Sequence, residues 1–69
     1  MSNSPKSLKD FVGREVQIFP NDTHEKFGIV ESVEESGVTF RITKSKQSAY
    51  RVGSSHFIAF SARLSFASV

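Results

Sequence analysis

The positive charges of this 69-residue chain are concentrated in its second half. Residues 37–69 carry five cationic side chains and no carboxylate, whereas residues 20–36 carry five carboxylates and a single lysine. Clustered lysines and arginines bind the phosphates of nucleic acids, and an exposed aromatic ring stacks on a nucleobase. The candidate nucleic-acid-binding residues are Arg41, Lys44, Lys46, Tyr50, Arg51 and Arg63.

This hypothesis requires the cations to share one face after folding. If they are scattered over the surface, they serve only to keep a small protein soluble. The pattern does not separate RNA from DNA. A protein-interaction module that binds an acidic partner surface is the alternative function, because the same cations attract any clustered negative charge.

The acidic residues indicate a further alternative. Glu31, Glu34 and Glu35 surround a predicted turn, and they would complement the basic face of a second copy in a head-to-tail homo-oligomer. The competing interpretation is a solvated turn, because exposed charge pairs contribute little to stability.

The chain also contains residue types that bind metals or act as nucleophiles. Asp22, His24 and Glu25 lie within one short segment, but a zinc site needs three or four convergent ligands and His56 is far along the chain. No serine lies in a Gly-x-Ser-x-Gly context, and neither histidine belongs to a triad-like group. We therefore predict a non-enzymatic protein with no metal and no cofactor.

Composition narrows the class of protein. The length fits a single small domain, and the absence of cysteine excludes disulfides and thiolate-bound zinc as staples. Seven phenylalanines therefore have to supply much of the core. No apolar run approaches the roughly 18 residues of a membrane span, and no secretory leader is recognisable, which favours a cytoplasmic protein with no membrane partner.

The beginning of the chain is predicted to contain a tail and a short helix. Residues 1–6 are small and polar and are expected to be disordered. The single domain then spans residues 7–69. Ser7 is a candidate N-cap, and Leu8, Phe11 and Val12 follow at helical spacing before Gly13.

Alternation of polar and apolar residues predicts strands over 14–19, 26–34 and 38–43. Phe27, Ile29 and Val33 share one phase of the second strand, in which Gly28 indicates a bulge or bend. Residues 35–37 form a hairpin connection with Gly37 where a left-handed residue is wanted.

The last third of the chain is predicted to hold two more strands, over 49–52 and 57–66. In the second of these, every other residue from Ile58 to Phe66 is apolar, which is typical of a half-buried strand. A helix capped at Ser55 is the alternative. His56 is interpreted as half-buried rather than as a base contact. Phe19, which is out of phase with its strand, is expected to pack beneath the helix rather than at a binding surface.

These elements together predict a mostly β fold, a small five-stranded barrel of the SH3-like or Sm-like kind with a short N-terminal helix. The order of elements and the glycine-marked second strand resemble the Sm-like barrels, which include a bacterial RNA chaperone. That family carries a Tyr-Lys-His run, where this chain has Tyr50-Arg51-Val52 and a later His56. The resemblance therefore implies RNA binding but assigns no uridine-binding residue.

Overall fold

The computed structural model describes residues 8–69, which form one antiparallel sheet of five strands. The strands are β1 (Glu15–Ile18), β2 (Lys26–Val33), β3 (Gly37–Ser45), β4 (Ser55–Ala59) and β5 (Phe66–Ser68). They are ordered β4-β3-β2-β1-β5 across the sheet. A 3-10 turn, η1 (Phe60–Ala62), connects β4 to β5. The prediction of a mostly β fold with five strands is confirmed.

The sheet is not closed, so the prediction of a barrel is wrong. Within residues 8–69, β4 and β5 are the two edge strands and do not pair with each other. The sheet nevertheless curls. The rings of Phe40 on β3 and Phe66 on β5 lie 5.8 Å apart between centroids, although their strands are three positions apart, about 14 Å in a flat sheet.

The core fills the concave side of this curled sheet. Phe11 adds an edge-to-face contact with Phe66, with 5.5 Å between ring centroids. Burial of each large apolar side chain contributes roughly 1.5–3 kcal/mol, so a few such residues stabilise a domain of this size. The buried hydrophobic residues are Val16, Ile18, Val30, Val38, Phe40, Ile42 and Ile58.

The predicted N-terminal helix is not one of the elements of the fold. Its N-cap, Ser7, and the predicted tail 1–6 lie outside the described residues. Only Leu8 and Lys9 have helical backbone, and the chain turns from Asp10 onward. The hydrogen bonds here span three residues, with the Phe11 amide donating to the Leu8 carbonyl at 3.0 Å. Gly13, with φ of 88°, then ends the turn.

Strand β2 has the predicted irregularity at Gly28 but the opposite phase. Its pairing with β3 shifts register between Phe27 and Gly28. A Cβ atom at Gly28 would lie 3.0 Å from the Arg41 carbonyl oxygen, a tight contact, so the close approach of the backbones favours glycine. Lys26, Gly28 and Val30 face the interior, and Phe27 is only half-buried.

Gly37 has a different role from the predicted one. Its φ is not positive, and it is the buried first residue of β3 rather than part of the turn. A Cβ atom at this position would overlap the carbonyl oxygen of Ile58 and lie 2.8 Å from the Cα of Ala59. The hairpin itself is confirmed, and it is closed by a hydrogen bond of 2.9 Å from the Glu34 amide to the Gly37 carbonyl.

Both predictions for the last third of the chain need correction. Residues 49–52 belong to a loop of residues 46–54, the β3–β4 loop, and β4 starts only at Ser55. That start also excludes the helix capped at Ser55. The predicted strand 57–66 is interrupted by η1 and by Arg63, whose φ is 58°. Alternating residues on the two sides of this turn belong to different strands.

None of the helical segments in the described part of the chain has the length and apolar character to span a membrane.

Candidate nucleic-acid interface

Several of the predicted binding residues meet where β3 leaves the sheet. Lys46, Tyr50 and Arg51 line a shallow surface depression formed by the β3–β4 loop. Lys44 is exposed at the end of β3, and its Nζ atom lies 5.6 Å from the centroid of the Phe27 ring on the neighbouring strand. We call Lys44, Lys46 and Arg51 the basic loop cluster. The other residues that line the depression are Ser45, Gln47, Ser48 and Val52.

Local hydrogen bonds determine the shape of the loop. The Ser45 hydroxyl donates to the Gln47 carbonyl at 2.9 Å and accepts from the Gln47 amide at 3.0 Å. The Tyr50 amide donates to the same carbonyl. The Ser54 amide likewise donates to the Arg51 carbonyl, so backbone groups within residues 49–52 are bonded in turns rather than to a neighbouring strand.

Carboxylates neutralise this cluster only in part. Lys46 Nζ lies 4.0 Å from Glu25 Oε1, and both side chains are mostly exposed, so their pairing is weak. In the described part of the chain, no carboxylate oxygen lies within salt-bridge distance of Lys44 or Arg51. These two cations therefore remain available to an anionic ligand.

Tyr50 is less available for base stacking than the sequence indicates. It is half-buried, its ring lies 4.9 Å from that of His56, and Lys26 Nζ lies 5.6 Å from its ring centroid. His56 is also half-buried, as predicted, with Nε2 at 3.0 Å from the Ser54 hydroxyl. The contact between these two rings joins the β3–β4 loop to β4.

Arg41 lies on the exposed face of β3, as predicted, but outside this cluster. Its Nε atom is 3.3 Å from Glu31 Oε2, and the Ser55 hydroxyl donates to the other oxygen of the same carboxylate at 2.8 Å. This network joins β2, β3 and β4 on the outer side of the sheet. Arg41 is therefore engaged within the protein.

Arg63 also lies apart from the loop. It follows η1, and its amide donates to the Phe60 carbonyl at 3.0 Å, while the Phe60 amide donates to Ser36 in the β2–β3 hairpin. That hairpin is at the other end of β3 from the basic loop cluster. The structure therefore brings Lys46, Tyr50 and Arg51 to one depression, with Lys44 exposed two residues before Lys46, and places Arg41 and Arg63 elsewhere.

Lys26 was not among the predicted site residues, and it is the only charged residue that is buried in the described part of the chain. Its Nζ atom donates to Asp22 Oδ2 at 2.7 Å and to the His24 carbonyl at 3.1 Å. The hydrogen bond from Lys26, followed by one from the Thr23 amide, holds the pKa of Asp22 below its usual value. The signal was available, because Lys26 shares the two-residue period of Gly28 and Val30.

Phe19 completes the surroundings of this lysine. It has a positive φ of 50°, is half-buried against the core, and its ring centroid lies 5.7 Å from Lys26 Nζ. Phe19 was expected to pack beneath the N-terminal helix. It does pack against the core, but no such helix is among the elements of the described residues.

Searches against known protein families, curated proteins and solved structures found no match to this chain.

Proposed function

We propose that this protein binds nucleic acid through the basic loop cluster, as a non-enzymatic, cytoplasmic accessory protein. The observation that carries the proposal is that Lys46 and Arg51 line one surface depression, with Lys44 exposed two residues before Lys46 at the end of β3. Lys44 and Arg51 have no carboxylate within salt-bridge distance among residues 8–69. Clustered, unpaired cations of this kind gain free energy from phosphate groups by releasing condensed counterions.

The proposed contacts are mainly with phosphates. A lysine ammonium and an arginine guanidinium both bind phosphate oxygens, and such contacts carry little sequence information. Tyr50 and the exposed Val52 supply apolar surface beside the cations, on which a base of a single strand can rest. We therefore expect weak, salt-sensitive binding with little sequence preference.

The first test is reversal of the whole cluster. In a low-salt fluorescence anisotropy assay with labelled single-stranded RNA and DNA, the variant K44E/K46E/R51E is expected to lose binding. Its circular dichroism spectrum checks that the fold is kept. Absence of binding by the parent protein, or equal binding by the variant, contradicts the proposal.

The fold supports a finer classification, which we also propose. The strand order, the irregular β2 at Gly28 and the turn that separates β4 from β5 are compatible with an open, curled sheet of the SH3-like or Sm-like kind. Fold alone does not determine function, so this classification adds only modest support for nucleic-acid binding.

A second candidate function is a protein-interaction module, either for an acidic partner surface or for a second copy. Its support is the outer edge of β4, which pairs with no strand among residues 8–69. Phe57 on this strand is 49% exposed, and Phe60 just beyond it is 38% exposed. Sedimentation in the absence of nucleic acid tests self-association. A mass that rises with protein concentration favours this function, and a monomer at all concentrations excludes the homo-oligomer.

A further inference from the structure

Lys26 connects the two loops at the end of the sheet that carries the basic loop cluster. Its ammonium is hydrogen-bonded to Asp22 and to the His24 carbonyl, which belong to the loop between β1 and β2. The same ammonium lies 5.7 Å from the ring centroid of Phe19 and 5.6 Å from that of Tyr50. Tyr50 belongs to the β3–β4 loop, so one cation contacts both loops.

Because Lys26 is buried, its ammonium depends on the groups that surround it. Lys26 is 1% exposed, and a buried ammonium is stable only where its donors meet acceptors or aromatic faces. Moving Tyr50 away would remove one of the groups that replace water around Nζ. A backbone hydrogen bond of 3.0 Å from the Lys46 amide to the Glu25 carbonyl fixes the same two loops side by side.

We propose that Lys26 is a positioning residue for nucleic-acid binding: it holds the Tyr50 side of the β3–β4 loop so that Lys46 and Arg51 face the ligand together. This inference rests on the function proposed above. Lys26 itself is too deeply buried to touch a phosphate. Its effect on affinity therefore passes through Tyr50, which directly precedes Arg51 in the chain.

The test uses the protein's own spectroscopic probe. Tyr50 is the only tyrosine and the chain has no tryptophan, so the tyrosine band of the near-ultraviolet circular dichroism spectrum reports on this site alone. We expect K26M to reduce that band and to weaken binding of a labelled single-stranded oligonucleotide by roughly twofold to thirtyfold. Replacement of an exposed lysine, K9M, is the matched control and leaves both unchanged.

The salt dependence separates positioning from direct contact. The slope of log affinity against log salt is negative, and removal of one phosphate-binding cation makes it less steep by about 0.7 for a single strand. Removal of a positioning residue leaves that slope unchanged. We expect K26M to keep the parental slope. The inference is overturned if K26M makes the slope less steep by about 0.7. It is also overturned if K26M keeps both the tyrosine band and the affinity of the parent.

A second variant covers the case in which K26M fails to fold. D22N is the milder variant, because it keeps Lys26 and an amide oxygen that accepts a hydrogen bond and removes only the negative charge beside the ammonium. It is expected to change the tyrosine band and the affinity in the same direction as K26M. If the parent protein binds no oligonucleotide, the proposed function fails. A reduced tyrosine band in K26M would then still show that Lys26 organises the loop, so the two failures are distinguishable.

Discussion

Lys26 is buried, whereas Asp22, its partner at 2.7 Å, is exposed: 1% of the lysine side chain and 39% of the aspartate side chain are accessible. The two charges therefore depend on each other to different degrees. Without the lysine, the carboxylate is still solvated by water. Without the carboxylate, the ammonium remains buried with a single carbonyl acceptor and two ring faces.

This asymmetry predicts the order of two variants in stability. D22A is expected to lower the urea midpoint of unfolding more than K26M, because an uncompensated buried charge is more costly than a solvated one. The unbranched apolar side chain of methionine also packs well against Phe19 and Tyr50. Equal midpoints, or a larger loss in K26M, would show that the ammonium is not effectively buried.

The ion pair between Lys26 and Asp22 also predicts that the stability of the fold depends on pH. The pKa of Asp22 is lowered in the folded protein, chiefly by the hydrogen bond from Lys26. The stability that this provides is complete above the usual aspartate pKa of 3.8 and is lost as the pH falls through the lower folded value. The difference in urea midpoint between parent and D22N is therefore expected to be constant near neutral pH and to shrink below pH 3.8. A difference that stays constant into strong acid contradicts the assignment.

Two glycines are predicted to respond differently to alanine. Gly53 has a φ of 91° with open space around it, so G53A is expected to cost only the backbone strain, about 1 kcal/mol. G37A is expected to cost more, because the new methyl group overlaps the backbone of β4 at Ile58. Urea unfolding measures both costs, and amide exchange in β4 should rise only in G37A. An unaltered β4 in G37A would refute the close contact between these strands.

The core is predicted to be sensitive to the loss of a single methyl group. Ile42 is 1% exposed, and I42V is expected to destabilise the protein by about 0.5–1.5 kcal/mol. Val52 is 65% exposed, and V52A is the matched control, with an expected change within about 0.5 kcal/mol. Similar losses in the two variants, measured by thermal unfolding, would contradict the described core.

The first half of the fold was predictable because its signals are local. Alternation identified β1, β2 and β3, and Gly28 indicated the irregular register, since a side chain there would meet the neighbouring strand. The phase of β2 was misread because Phe27 and Ile29 are more hydrophobic than Lys26. Lys26 is buried although lysine is usually exposed, because its ammonium is hydrogen-bonded to Asp22 and lies near the rings of Phe19 and Tyr50.

The second half depends on contacts that one-dimensional patterns do not contain. The strand predicted over 49–52 is a loop, in which the Tyr50 amide donates to the Gln47 carbonyl and the Arg51 carbonyl accepts from the Ser54 amide and hydroxyl. The alternation over 57–66 continues through a turn at Arg63 and so imitated one long strand. For the site, charge segregation identified the basic loop cluster, but it did not show that Glu31 engages Arg41 across the sheet.

The most direct test of nucleic-acid binding by the basic loop cluster compares two variants of equal charge. K44E/R51E and K9E/R14E each replace two exposed cations by glutamates, the first pair at the cluster and the second elsewhere on the surface. Affinity for a labelled single-stranded oligonucleotide is measured by anisotropy over a range of salt concentrations. For the parent we expect a slope of log affinity against log salt of about −2, as three phosphate contacts require. We predict that K44E/R51E abolishes binding and that K9E/R14E keeps both measurable affinity and the parental slope. Equal losses in the two variants would show that only net charge matters, and would contradict a binding site at the basic loop cluster.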